Sequence, residues 1–357
     1  MTTSAGLPHA TAPSATAPSA TVRGATVRGT GRALPSRLVT DADVAAMLGQ
    51  HEAASGVDAY AGVQRYWCSA EESTADLAEE AARHALAAAG VEARDIGLLV
   101  VATSTPEFVM PPTSAVVHGR LELGDAPAVD LSAGGSDFLS ALDVACKSIA
   151  YDPELSHVLV VGVSAMSKYL DTHDARTVPV YGDGAGAVVL SAGEHHGVLV
   201  SATRTLGQHS HDVGVFAGGT RTPITSAVLE AGLQNRLRVL REFPDLLPSR
   251  WGQLVRETLG KAGVTEADVS RWLWSHPSRE AVIRTIEHVG GSEPSDDATF
   301  ATVAQHGYTG AAALPMALDL LAREGGIAEG ECLVLAAAGA GVSYGATVLR
   351  WAAPAPA

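Results

Sequence analysis

Cysteine and positive charge are scarce in this chain of 357 residues, and each shortage excludes a class of protein. The three cysteines, Cys68, Cys146 and Cys332, form no CxxC pattern and cannot all pair with one another. We therefore expect buried thiols in a reducing compartment rather than disulfides or a zinc site. With 24 basic against 39 acidic residues the formal charge is −15. This balance argues against nucleic acid as a partner, because binding a polyanion needs clustered cations.

Long hydrophobic runs are also missing. No stretch of about 18 apolar residues free of charge occurs in the sequence. Its start lacks the basic segment and the apolar segment of a secretion signal. We therefore expect a cytoplasmic protein with no membrane partner. Hydrophobic residues still make up 46% of the chain, which is enough for a substantial core.

The first 24 residues differ in composition from the rest. They are mainly Ala, Thr, Ser and Pro, with the near-repeat Ser-Ala-Thr-Ala-Pro. Such a segment has too few large apolar groups to offset the entropy lost on ordering. We expect residues 1–24 to form a disordered tail.

The remainder of the chain contains an internal repeat. A helix end, a turn and an apolar strand-like run recur in the same order, and two shorter segments recur after them. The repeated pairs are 89–102 with 262–274, 141–143 with 317–319, and 186–190 with 345–349. Shared composition alone would not preserve order and rough spacing, so the pattern indicates a duplication of α/β units. We expect one half at 25–200 and the other at 201–357.

Several short motifs resemble those of the β-ketoacyl-ACP synthase III family. Residues 126–138 resemble its nucleophile region, and similar motifs occur in the family's order at 103–112, 157–162, 181–187, 275–277, 305–310 and 339–345. The resemblance covers residues 27–352. It implies the thiolase-like α/β fold, in which two duplicated halves form α-β-α-β-α layers, and it implies acyl thioesters as substrates.

The catalytic cysteine of that family has no counterpart here. In the family the cysteine lies five residues after an aspartate, and the residue five after Asp130 is Gly135. Ser136 is not expected to replace it, since successive side chains entering a helix point about 100° apart. The resemblance therefore predicts an enzyme that forms no acyl-cysteine intermediate.

Other catalytic positions of the family are retained in part. His276 matches the catalytic histidine, whose neutral ring donates to the thioester oxygen or takes a proton. Tyr308 stands where the family has an asparagine, so half of the pair that stabilises an enolate is lost. The family's oxyanion hole uses two backbone amides, matched here by Gly135 and Gly341.

The resemblance also bears on ligands and partners. The most basic stretch contains Arg236, Arg238, Arg241, Arg250, Arg256 and Lys261, and it is either a solvated helix face or a docking site for an acidic acyl carrier protein or a CoA phosphate. The family's tryptophan for the CoA adenine falls near Gly56 and is missing. The glycine runs at 182–186 and 339–345 lead into strand-like sequence, unlike a dinucleotide-binding turn. We expect no cofactor and no metal, with acyl-CoA or acyl-ACP as substrate.

Two functional hypotheses follow. In the first, the chain is an acyltransferase of fatty-acid, polyketide or other secondary metabolism, with His276 as general base on an acceptor held beside the thioester. In the second, it is a non-catalytic subunit paired with a cysteine-bearing homologue. Met110, which matches a residue reaching the neighbouring active site, would then shape the partner's tunnel. Both hypotheses imply a dimer, either of two identical chains or of two related ones.

Overall fold

A computed structural model describes residues 23–49, 63–193, 197–290, 299–301 and 306–352. Gly56 and residues 1–22 of the predicted tail lie outside the described residues. Gly24, which the tail was predicted to include, is the first residue of strand β1 and pairs with Gly193.

The first half of the chain builds a five-stranded sheet with helices beside it. Its strands are β1 Gly24–Ala33, β4 Leu98–Ala102, β5 Ala128–Leu131, β6 His157–Ser164 and β7 Gly184–Gly193. A small antiparallel pair is formed by β2 Arg37–Val39 and β3 Arg65–Trp67. The helices are α1 Asp41–Leu48, α2 Thr74–Ala89, α3 Thr113–Leu121 and α4 Asp137–Tyr151.

The second half repeats this pattern. Its sheet contains β8 Val198–Thr205, β11 Val269–Ser275, β12 Thr299–Ala301, β13 Cys332–Gly339 and β14 Ser343–Arg350. A second small pair consists of β9 Val213–Val215 and β10 Leu237–Val239. The helices are α5 Ser226–Glu230, α6 Leu247–Ala262, α7 Arg279–Gly290 and α8 Ala313–Arg323.

The two large sheets have the same topology. The strand order is β1-β7-β6-β4-β5 in the first and β8-β14-β13-β11-β12 in the second. In each sheet the last three strands of that order are parallel to one another. The second strand is antiparallel to both of its neighbours, the first and the third. The predicted duplication of α/β halves is confirmed.

Three layers of helices enclose the two sheets. Helix α2 covers the outer face of the first sheet, and α6 covers the outer face of the second. Between the sheets, α4 and α8 share one apolar core that includes Phe138, Leu142, Leu314 and Leu318. This is the α-β-α-β-α arrangement predicted from the sequence. No helix in the described part of the chain is both long and apolar enough to cross a membrane.

Local sequence signals account for several element boundaries. Helix α2 begins after Ser73, whose side chain accepts the Asp76 amide while the Asp76 carboxylate accepts the Ser73 amide. This reciprocal cap satisfies two amide groups that the helix itself cannot pair. The helix ends at Gly90, which adopts the left-handed conformation that glycine tolerates. All three cysteines are free, and burial raises the pKa of the Cys146 thiol to about 12.

Candidate active site

The loop between β5 and α4 holds the position of the family's nucleophile. Gly134 and Gly135 both have positive φ, at 65° and 137°, a region that side chains with a Cβ rarely enter. A Cβ added to Gly135 would lie 2.0 Å from the backbone N of Gly339 and 2.3 Å from its Cα. The space that a cysteine side chain would need is therefore filled by the backbone of the second half.

Asp137 binds the same loop from the first turn of α4. Its Oδ1 accepts the amides of Ala133 at 2.5 Å and Gly134 at 3.0 Å, and its Oδ2 accepts the Gly135 amide at 3.2 Å. The side chain is buried, and burial raises the pKa of Asp137 while these amides oppose the rise. The Gly135 N–H, which the resemblance predicts to be an oxyanion donor, thus donates to a carboxylate in this structure.

Ser136 lies at the N-terminal end of α4 and is buried. Its hydroxyl forms a hydrogen bond with the hydroxyl of Ser343, the first residue of β14. Ser343 pairs with Gly339 across the β13–β14 turn. The Ser136 side chain thus joins the two halves of the chain.

His276 follows the last residue of β11. The register pairs Ser275 with Ala337 of β13, which places His276 at the same end of the sheet as Gly339. The Ser278 amide donates to His276 Nδ1 at 2.9 Å, whereas the Ser278 carbonyl oxygen lies farther away, at 3.2 Å. The shorter contact needs a lone pair on Nδ1, so the ring proton belongs on Nε2. In this tautomer Nε2 is a donor, which is one of the two roles that the resemblance implies for His276, and the general-base role stays a prediction.

Aromatic rings surround His276. Its ring centroid lies 4.6 Å from that of Phe243 and 5.9 Å from that of Trp251. The residue is 1% exposed, and burial lowers the pKa of His276 from 6.5 to about 4. The imidazole is therefore neutral at physiological pH. Its Nε2 is buried and forms no hydrogen bond with the described residues.

Tyr308 is buried against the nucleophile loop. Its ring packs edge-on against Tyr181, with centroids 5.5 Å apart. A Cβ added to Gly339 would lie 3.1 Å from the Tyr308 hydroxyl and 2.8 Å from the Gly135 Cα. Burial and the nearby Asp137 charge raise the pKa of Tyr308, so the phenol keeps its proton. The Tyr308 hydroxyl and the Gly135 Cα therefore both lie beside Gly339.

Gly341 belongs to the turn that joins β13 to β14 and has φ of 120°. A Cβ added to Gly134 would lie 2.1 Å from the Ala340 carbonyl oxygen and 3.7 Å from the Gly341 N. The two glycine loops are thus in direct backbone contact. Gly135, Ser136, Tyr308 and Gly341 come together around this contact.

Met110 lies on a different surface. It follows Phe108 and Val109 on the loop between β4 and α3, and all three are exposed, Val109 by 95% and Met110 by 85%. They line a cavity of about 340 Å³ together with polar side chains that include Ser104 and Asp130. Ser104 also donates to Asp137 Oδ1 at 3.4 Å, so the cavity borders the nucleophile loop.

The five arginines predicted as a docking site are spread over several elements. Arg236 is half-buried and donates to the Leu170 carbonyl, and Arg241 lies 3.9 Å from Asp212. Arg238 is a half-buried residue of β10. Arg250 and Arg256 are exposed on α6. Within the described residues, no three His, Cys, Asp or Glu side chains are grouped to hold a metal ion.

Comparison with known proteins assigns the family. The sequence profile of 3-oxoacyl-[acyl-carrier-protein (ACP)] synthase III matches residues 129–207, and that of its C-terminal domain matches residues 259–351. A β-ketoacyl-[acyl-carrier-protein] synthase III from Rhizorhabdus wittichii is 36% identical over 325 residues, 90% of this chain and 98% of the relative. The chain belongs to the 3-oxoacyl-ACP synthase III family. This membership places it in the acyltransferase class of enzymes.

Solved structures of synthase III proteins show the same architecture. The enzyme from Pseudomonas aeruginosa matches with a TM-score of 0.79 and 29% identity, covering 94% of this chain and all of that one. The priming β-ketosynthase of the R1128 polyketide pathway matches with a TM-score of 0.83 over 96% of this chain and all of that one. At 24% identity the latter likeness shows the fold alone.

Sequence reasoning missed three residues of this synthase III site. Asp137 had a local signal, an acidic residue in the first turn of a helix just after two glycines. Phe243 and Trp251 had none, because they reach His276 from the loop and helix that precede β11 and only the folded chain shows the contact.

Proposed function

We propose that the chain transfers an acyl group from acyl-ACP or acyl-CoA directly to an acceptor, without an acyl-cysteine intermediate. A relative 36% identical to it is named a β-ketoacyl-[acyl-carrier-protein] synthase III, and we place the chain in fatty-acid, polyketide or other secondary metabolism. The absence of the covalent intermediate follows from Gly135, which carries no nucleophilic atom and has no room for one beside Gly339.

The buried Nε2 of His276, which forms no hydrogen bond with the described residues, is the observation that carries this proposal. A buried donor without an acceptor costs free energy, about 1–3 kcal/mol. Among the described residues no acceptor contacts this nitrogen. A thioester carbonyl oxygen would supply the missing acceptor. The neutral ring would stabilise the negative charge that develops on that oxygen, and it would do so without gaining or losing a proton.

The chemistry is a single acyl transfer with both substrates bound. A hydroxyl or amine of the acceptor attacks the thioester carbonyl carbon, and a tetrahedral intermediate forms. The carbon–sulfur bond then breaks, and the acceptor's proton ends on the leaving thiolate. Holding the two substrates together replaces the covalent step of the family.

Two cations on α6 support an acidic acyl carrier protein as donor. Arg250 and Arg256 are exposed, and the other charges on the exposed face of this helix include Glu257 and Lys261. The chain as a whole is acidic, so the positive charge of Arg250 and Arg256 differs in sign from the net charge of the protein. Charge reversal at Arg250 and Arg256 should lower the turnover of acyl-ACP donors more than the turnover of acyl-CoA donors.

Turnover and intact mass together test the proposal. After incubation with a panel of acyl-CoA and acyl-ACP donors, we expect product with a suitable acceptor and no acyl adduct on the protein. His276→Ala should reduce turnover by about 10²-fold or more. His288→Ala removes an exposed histidine of α7 and serves as the matched control. An adduct on Ser136, or full activity of His276→Ala, would contradict the mechanism.

A second candidate is favoured by the Asp137 contact with the Gly135 amide. If this contact makes the chain's own site catalytically inactive, the chain is a subunit that supports a cysteine-bearing homologue. The exposed loop of Phe108, Val109 and Met110 would then reach the partner's tunnel. In an assay with such a homologue, Met110→Trp should lower the activity of the complex, and His276→Ala should have no effect.

A further inference from the structure

Asp137 is the most heavily bonded acidic side chain beside the site. Its two oxygens accept three consecutive backbone amides, from Ala133, Gly134 and Gly135, and Ser104 adds a hydroxyl at 3.4 Å. The N–H groups can only donate. These three donors favour the ionised carboxylate and oppose the rise in its pKa that burial causes.

One of these amides, that of Gly135, is a donor that the family resemblance assigns to the oxyanion hole. Such a hole works because its donors are unpaired and point to where negative charge develops. In this chain one donor, the Gly135 amide, already has a charged acceptor. A second negative oxygen at the same place would lose that donor and would be repelled by the Asp137 carboxylate.

The backbone amides of residues 133–135 form a small anion-binding site, here called the amide nest. We propose that the Asp137 carboxylate occupies this nest and thereby determines which acyl groups the site accepts. It excludes a thioester oxygen from this nest, so that the carbonyl has to bind elsewhere. It also disfavours acyl groups that carry their own carboxylate, such as malonyl. The substrate class is therefore an uncharged acyl thioester. The statement about substrates rests on the proposed function, whereas the occupation of the nest does not.

The loop geometry gives Asp137 a second effect. Its bonds hold Gly134 and Gly135 at φ of 65° and 137°, the conformation in which Gly135 meets Gly339. Asp137 thus acts as a positioning residue for the contact between the two glycine loops.

Nuclear magnetic resonance can test the occupied nest without any substrate. In protein labelled with ¹⁵N-glycine, the Gly134 and Gly135 amide signals should shift when acidification protonates Asp137. Asp137→Asn should move both signals at neutral pH and abolish their titration. Asp143→Asn changes an acidic residue of the same helix, which pairs with Lys147, and should leave both signals in place. Unchanged glycine signals in Asp137→Asn would overturn the proposal.

Binding measurements test the substrate class. Wild-type protein should bind a non-hydrolysable acetyl-CoA analogue at least tenfold more tightly than the malonyl analogue. Asp137→Asn, which keeps the side-chain volume, should bring the two affinities within about threefold, while Asp143→Asn should not. If the wild type binds acetyl and Asp137→Asn still rejects malonyl, the inference about substrates is wrong. If neither protein binds either analogue, the proposed function fails, and the glycine signals still decide whether the nest is occupied.

Discussion

At the scale of single residues, His276 shows how burial sets a protonation state. The ring lies between aromatic side chains and its pKa is lowered to about 4, so it stays uncharged where an exposed histidine would begin to titrate. The Ser278 amide fixes the tautomer by donating to Nδ1. Burial and one backbone hydrogen bond together turn the residue into a neutral donor.

The same burial should make the protein sensitive to acid. The unfolded chain binds a proton at His276 near pH 6.5, but the folded chain does so only near pH 4. Stability is therefore lost as the pH falls from about 6.5 towards 4, because protons favour the unfolded state in this window. Relative to His276→Asn, which keeps an acceptor for the Ser278 amide, wild type should lose about 2 kcal/mol more between pH 7 and pH 5.

Urea unfolding at both pH values measures this difference. The buried carboxyls of Asp137 and Asp183 have raised pKa values and act in the opposite direction, but they are present in both proteins and cancel in the comparison. Equal pH dependence of the two proteins would show that the His276 pKa is not lowered by burial.

Gly135 is the second residue with a measurable consequence. Gly135→Ala places a methyl group against the Gly339 backbone and forces an unfavourable φ, so we expect the free energy of unfolding to fall by about 2–4 kcal/mol. Gly124→Ala is the control, since Gly124 has φ of 70° but no atom within 4 Å of an added Cβ. It should cost only the conformational strain, about 1–2 kcal/mol. Equal losses in chemical denaturation would argue against the close contact.

At the scale of elements, the contact between β1 and α2 depends on small residues. A Cβ on Gly31 would lie 2.3 Å from the Ala81 carbonyl oxygen, and one on Gly29 would lie 2.4 Å from the Ala89 N. Gly29 and Gly31 share one face of the strand because side chains alternate along it. Ala81, Ala85 and Ala89 share one face of the helix because they are four residues apart. The strand and the helix can therefore pack backbone to backbone.

Gly31→Ala should break this close packing. The added methyl group meets two backbone atoms of α2 and the His84 Cβ, none of which can move without shifting the helix, so we expect a loss of about 3 kcal/mol or more in the free energy of unfolding. Gly260→Ala on the exposed face of α6 meets no atom within 4 Å and should stabilise the protein by up to about 1 kcal/mol. Differential scanning calorimetry of both variants would check this, and a Gly31→Ala protein as stable as wild type would contradict it.

At the scale of the whole molecule, strand β5 has an outer edge with which no strand in the described part of the chain pairs. It is the last strand in the order, and Val129 on it is exposed. The neighbouring loop presents Phe108, Val109 and Met110 to solvent. An open edge beside an apolar loop favours association with a second chain. This geometry supports the predicted dimer.

We expect the purified protein to be a dimer at micromolar concentration. Val109→Asp with Met110→Asp should shift it to monomer, because burying two carboxylates at the interface is costly. Tyr151→Asp changes an equally exposed side chain at the end of α4 and should leave the dimer intact. Light scattering coupled to gel filtration distinguishes the outcomes. A monomeric wild type would count against this interface, and a dimeric double variant would place the interface elsewhere.

Much of the fold was determined by local sequence. Helix α2 spans Thr74–Ala89, and the two signals that bound it, the Ser73 cap and the left-handed Gly90, are both local. The repeated segments predicted the two similar sheets, because apolar strands and helix ends have recognisable sequence patterns. The loss of the nucleophile could also be read directly, since Gly135 lacks a side chain whatever its surroundings.

The state of the site was decided only by the tertiary structure. That the Gly135 amide is occupied, that Gly339 fills the space beside it, and that His276 lies among aromatic rings all follow from three-dimensional contacts. The contacts of Gly135 with Gly339 and of Ser136 with Ser343 join positions about 200 residues apart. No local pattern encodes them, because they form only when the two halves pack against each other. The sequence therefore determined which groups are present, and the packing of the halves decided which of them remain free to act.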